Sequence, residues 1–213
     1  MFRITLFLCC IVFLFSPKPA FAQTAYEDIL KAVQVNDLPA VQTLLSRGME
    51  VDTADQDGNS LLMIAAREGH LELVRFLVGQ KANLDARNRF GETAIMLASL
   101  KGKIHAVIEL SARGAKIAHS GWTPLHYCAW EGKADICQFL IVQGAPVNAR
   151  APNGSTPLML AASQGHVEAV KLLLSHSADH ALQNEAGITA LSLALKAGHT
   201  DIADLLRSVT TKQ

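Results

Sequence analysis

From residue 25 onward, apolar residues come in short helical bursts separated by glycines. The clearest burst runs from Gly121 to Gly132, where Leu125, Cys128 and Ala129 recur at helical spacing. Thr123 is placed to cap that helix with its hydroxyl, and Pro124 falls where a missing N–H costs nothing. Gly132 stops it. A second burst predicts a helix over 133–142, with Ile136, Cys137, Phe139, Leu140 and Ile141 on its buried side and Gly144-Ala145 at its end. Helices of about two to three turns do not stand alone, because nucleation is costly. The unit must stack on copies of itself.

The copies are in the chain. Turn glycines stand at Gly58, Gly91, Gly121, Gly154 and Gly187, with gaps of 33, 30, 33 and 33 residues. The glycines between paired helices, Gly69, Gly102, Gly132, Gly165 and Gly198, repeat the same gaps in the same order. Two independent landmarks keeping one period define a repeat.

The unit resembles the ankyrin repeat. Thr123-Pro124-Leu125-His126 matches that family's Thr-Pro-Leu-His signature, and Thr156-Pro157-Leu158-Met159 matches all but its last residue. Ser60-Leu61-Leu62-Met63, Thr93-Ala94-Ile95-Met96 and Thr189-Ala190-Leu191-Ser192 lack the proline and histidine but keep the cap and the core residue. Gly69-His70, Gly165-His166 and Gly198-His199 resemble the family's Gly-His pair. The resemblance implies an all-α ankyrin-repeat solenoid of about six stacked helix-turn-helix units with short β-hairpin fingers. Its boundaries would be an N-terminal capping repeat at 23–57, four central repeats at 58–186, and a C-terminal capping repeat with a tail at 187–213. The third unit is three residues short, and the loss falls after Ala118, in a finger, which spares the helices.

Residues 1–22 do not fit the repeat. Arg3 precedes an apolar or near-apolar run from Ile4 to Phe15, Ser16-Pro17-Lys18-Pro19 breaks it, and Ala20-Phe21-Ala22 forms an Ala-x-Ala site. That order predicts a secretory signal peptide cleaved after Ala22. The run is short for a membrane span, which needs about 20 residues. No membrane insertion is expected once the leader is removed, and the mature protein would be periplasmic or secreted, as for an exported bacterial ankyrin-repeat protein.

Formal charge is zero. Cleavage would leave 17 basic residues (19 less Arg3 and Lys18) against 19 acidic ones. Nothing here gives an electrostatic footprint for nucleic acid or a polybasic membrane patch. Cys128 and Cys137 remain in the mature chain. They align with Ala65, Ala98 and Ala161 and with Val74, Val107 and Val170, so they are expected to act as small buried hydrophobes instead of a disulfide. His126 is expected to bond the turn backbone and join neighbouring units. No phosphate loop, nucleophile elbow or zinc-protease helix occurs, so the protein is expected to be no enzyme and to need no cofactor. The alternative reading is a redox or metal-binding periplasmic protein using Cys128 and Cys137, or His176 and His180.

What remains is a surface. On the ankyrin pattern the variable concave positions would be Arg67, Leu100, Trp130, Ser163 and Lys196 on the inner helices. Asn59, Glu92, Trp122, Ser155 and Ile188 would lie beside the turn glycines, with Asp57, Phe90, Ser120, Asn153 and Ala186 at the fingertips. None is expected to be needed for stacking. Phe90, Leu100, Trp122 and Trp130 fall in adjacent units, with Arg67, Arg89, Glu92, Lys101 and Glu131 as a charged rim, which is the anatomy of a protein interface. The expectation is a monomer that binds an unidentified protein there, with tryptophan truncations that leave folding nearly unaffected.

Overall fold

The computed structural model describes residues 20–210. Within them the helices are α1 (Ala20–Gln34), α2 (Leu38–Ser46), α3 (Leu61–Glu68), α4 (Leu71–Gly79), α5 (Ala94–Leu100) and α6 (Ile104–Ala112). They continue as α7 (Pro124–Trp130), α8 (Ala134–Val142), α9 (Pro157–Gln164), α10 (Val167–Ser175), α11 (Ala190–Ala197) and α12 (Thr200–Thr210). Each odd-numbered helix packs on the even one after it. Across units, α3, α5, α7, α9 and α11 stack in one row, and α4, α6, α8, α10 and α12 in another. Most of the leader falls outside the described residues.

Short polar residues start these helices as the sequence suggests. The hydroxyls of Ser60, Thr156 and Thr189 accept the N–H of Met63, Met159 and Ser192 at 3.3, 3.3 and 3.2 Å. Pro124 and Pro157 occupy first helical positions. Gly165 ends α9 at φ +80°, and a Cβ there would also meet the His199 ring at 2.7 Å. That residue is glycine for two reasons, the left-handed turn and the imidazole of the next unit lying over it. The core runs between the rows as a repeated layer. Leu62, Ile95 and Leu125 from the first helices, and Leu77, Leu110, Leu140 and Leu173 from the second, have no exposed surface.

Fingers connect the units. In three of them one side chain organises the turn. Asp55 Oδ1 accepts the N–H of Asp57 and Asn59, Asn88 Oδ1 those of Phe90 and Glu92, and Asn184 Oδ1 those of Ala186 and Ile188, all at 2.8–3.0 Å. The fingers are therefore side-chain-braced turns. Among the described residues the one β-type bridge joins Ala54 and Ser60. Neighbouring fingers are tied by Arg89 N–H to the Asp57 carbonyl (3.0 Å) and Glu185 N–H to the Asn153 carbonyl (3.1 Å).

A second ladder links each finger base to the next unit. Asp52, Asp85 and Asn148 accept the N–H groups of Asn83, Lys116 and Asp179 at 2.9, 3.0 and 2.9 Å. These donors each follow a buried alanine: Ala82, Ala115 and Ala178. The remaining buried alanine of the series, Ala145, is followed by Pro146, which has no N–H. The position aligned with Asp52, Asp85 and Asn148 is Ala118, just before the three-residue loss, and its side chain has no acceptor. A residue that cannot accept is thus matched to one that cannot donate.

The reading of the cysteines as unpaired hydrophobes is corrected. Cys128 on α7 and Cys137 on α8 form a disulfide, with Cα atoms 5.6 Å apart, and both are fully buried. At the aligned positions of other units, Ala65, Ala98 and Ala161 on the first helix and Val74, Val107 and Val170 on the second are compact side chains that let the two helices approach closely. At that spacing two cysteines lie within bonding range.

Candidate binding site

The unit with the shortened finger before it is held to its neighbours by two side chains of α7. His126 is fully buried. Thr123 N–H reaches its Nδ1 at 3.1 Å, so that nitrogen must be the acceptor. Nε2 then carries the proton and donates to the Ser155 carbonyl of the following unit at 3.2 Å. The expected structural role of His126 is what the geometry gives. Burial pushes its pKa down to about 4, against the pull of the backbone hydrogen bonds. On the other side, Tyr127 Oη donates to Glu92 Oε1 of the preceding unit at 3.1 Å. Burial first, then the Glu92 carboxylate, raises the phenol's pKa and keeps it protonated. Glu92 is braced in turn by Asn88 Nδ2 at 2.8 Å, which also reaches Asn59 Oδ1 at 2.9 Å.

Over these two residues lies Trp122, edge-on to the His126 ring at 5.4 Å and to the Tyr127 ring at 6.1 Å. With Leu100 and Trp130 they line a hollow of about 250 Å³, almost entirely apolar, between α5 and α7. Three of the residues picked from sequence, Leu100, Trp122 and Trp130, are thus brought together. Sequence reasoning missed Tyr127. Its signal was present: the aligned residues of other units are Ile64, Leu97, Leu160 and Leu193, so a phenol there breaks the pattern.

The rest of the set is more dispersed. Glu92 joins the hollow through Tyr127. Phe90 does not line it; it is 62 % exposed on its finger, under the Arg89 guanidinium at 4.7 Å. Arg89 pairs with Asp57 at 2.9 Å and Arg67 with its neighbour Glu68 at 2.9 Å. Lys101 and Glu131 are exposed at the C-terminal ends of α5 and α7.

Two expectations about this face need correction. Asn59 and Ser155 are buried; Asn59 bonds Asn88 of the next unit through its side chain, so that position does serve stacking, while Ser155 meets His126 through its backbone carbonyl. Trp122 and Trp130 are 37 % and 42 % exposed, so each is more than half buried in the free protein. Truncating them will cost stability as well as binding surface.

The alternative site residues are otherwise engaged. The Cys128–Cys137 bond exposes no surface to an attacking thiolate. His176 Nδ1 lies 2.9 Å from the Leu172 carbonyl. Among the described residues no group of three or more His, Cys, Asp or Glu side chains gathers as a metal site. Nor is any described helix long and apolar enough to cross a membrane.

A helical repeat stack with braced fingers and an apolar hollow is the architecture of a binding protein. The family model for ankyrin repeats in three copies matches residues 29–120, 62–151 and 125–212, and the chain belongs to the ankyrin-repeat family. Its repeats make it a protein–protein interaction module, of a family that is generally non-enzymatic. No curated protein is similar enough to count as a match.

Proposed function

We propose that this protein is an exported, non-enzymatic binding module that holds a partner protein on its concave face, with the hollow of Leu100, Trp122, Tyr127 and Trp130 at the centre of contact. The observation that carries the reading is the placement of both tryptophans of the chain, partly exposed, around one apolar hollow. Partly exposed aromatics gathered at one place are the usual anchors of an interface. Glu92, Lys101 and Glu131 supply its polar rim, and Arg67, Arg89 and Phe90 extend it along the face. Two further observations support export to the periplasm or beyond: the leader-like order of residues 1–22, and a cysteine pair joined as a disulfide, a bond that persists in oxidising compartments.

Affinity capture on the mature protein, followed by mass spectrometry, tests the reading when the bait is compared with Trp122→Ala and Trp130→Ala variants. Each truncation is expected to weaken capture by roughly 2 kcal/mol or more. The comparison is made well below the melting temperature of both variants, because edge contacts such as those of Trp122 contribute about 0.5–1.5 kcal/mol to folding. Capture that ignores both tryptophans would remove the hollow from the interface.

A further inference from the structure

The hollow has aromatic walls, one of them bonded to a carboxylate, and that combination selects the charge of what enters it. Trp122, Tyr127 and Trp130 line it with Leu100 and His126. Aromatic faces carry partial negative charge and attract cations. Tyr127 gives its hydroxyl hydrogen bond to the Glu92 carboxylate, which pushes electron density back into the ring. Of the two charges acting on that phenol, Glu92's outweighs Arg87's, and the Arg87 guanidinium is held at 2.6 Å by the Gly91 carbonyl. The lining residues include no cation, because His126 stays neutral at physiological pH.

Resting on the reading of the hollow as the partner's contact, we propose that its occupant is an arginine side chain of the partner protein. A guanidinium is flat and weakly hydrated, stacks on aromatic rings, and keeps N–H donors for a carboxylate. Glu92 does not line the hollow, but it is bonded to Tyr127, which does, and it keeps acceptor capacity for them. An ionised carboxylate offers about four acceptor sites, and here Tyr127 and Asn88 take one each. A leucine would fill the apolar space but gain no electrostatic attraction from the ring faces.

The chain has two tryptophans, and both line the hollow, so intrinsic fluorescence reports on it directly. The mature protein is titrated at constant ionic strength with Nα-acetyl-arginine amide, with its uncharged citrulline counterpart, and with Nα-acetyl-leucine amide. The arginine compound is expected to give a saturable change and to bind about fivefold more tightly than either of the others. Glu92→Gln keeps an acceptor oxygen for Tyr127 but removes the charge, and is expected to abolish most of that preference. Equal or tighter binding of citrulline or leucine, or no saturable response to arginine, overturns the assignment. If tryptophan truncation abolishes capture while arginine shows no preference, the contact site stands and the arginine assignment falls. If capture ignores both tryptophans, the site reading itself falls.

Discussion

His126 makes the stability of this protein depend on mild acid, and the size of the effect follows from its burial. In the unfolded chain an imidazole titrates near 6.5; folded, this one titrates at about 4. Between those values the unfolded state binds the extra proton, so the histidine's contribution is complete above about pH 6.5 and is lost as pH falls toward 4. Linkage gives a loss of about 2 kcal/mol by pH 5 and about 3 kcal/mol by pH 4. The control is His126→Met, which copies other units. There Met96 and Met159 sulfurs lie 3.4 and 3.5 Å from the N–H groups of Thr93 and Thr156. The substitution removes the bond to the Ser155 carbonyl, which still accepts Ala151 N–H at 2.9 Å. At neutral pH it is therefore expected to cost only about 1 kcal/mol. Urea unfolding at pH 7.5, 6, 5 and 4 should show the two proteins converging, and then the variant becoming the more stable. Parallel curves through that range would refute a buried neutral histidine.

Other expectations can be checked as directly. Leu125→Ala should cost about 2–5 kcal/mol, with hydrogen exchange rising mainly in α5 to α10, since each unit touches only its neighbours; uniform loss along the chain would contradict this. Replacing Cys128 by Ala and Cys137 by Val, the residues of other units, should remove about 2–3 kcal/mol of loop-closure stabilisation. The unaltered mature protein, denatured without reductant, should give no reaction with a thiol reagent; two reacting thiols would disprove the bond. N-terminal sequencing of the exported protein is expected to start at Gln23, and a start at Met1 would sink the leader.

Much of this fold could be read from spacing because each unit faces the same packing problem. Ser60, Thr156 and Thr189 cap helices, and Gly69, Gly165 and Gly198 end them in left-handed conformation. Those are local consequences of residue type, and local consequences are legible in a single sequence. The disulfide was not, since it depends on how near two helix faces come, and aligned alanines and valines say only that the residues there are compact. The hollow was half legible. Its tryptophans interrupt the pattern openly, whereas Tyr127 and His126 reveal their work only when Glu92 and Ser155 are seen across the unit boundaries. Position alone also misjudged Asn59, because a variable site in a repeat can still hold a structural bond.

The match of Ala118 to Pro146 ties together two places 28 residues apart in sequence. Exchanging Ala118 alone for aspartate would present an oxygen to a nitrogen that bears no hydrogen. Exchanging Pro146 alone would supply the hydrogen with nothing opposite but water. Neither change rebuilds the rung, and only the two made jointly could. Each position therefore sets what the other can become.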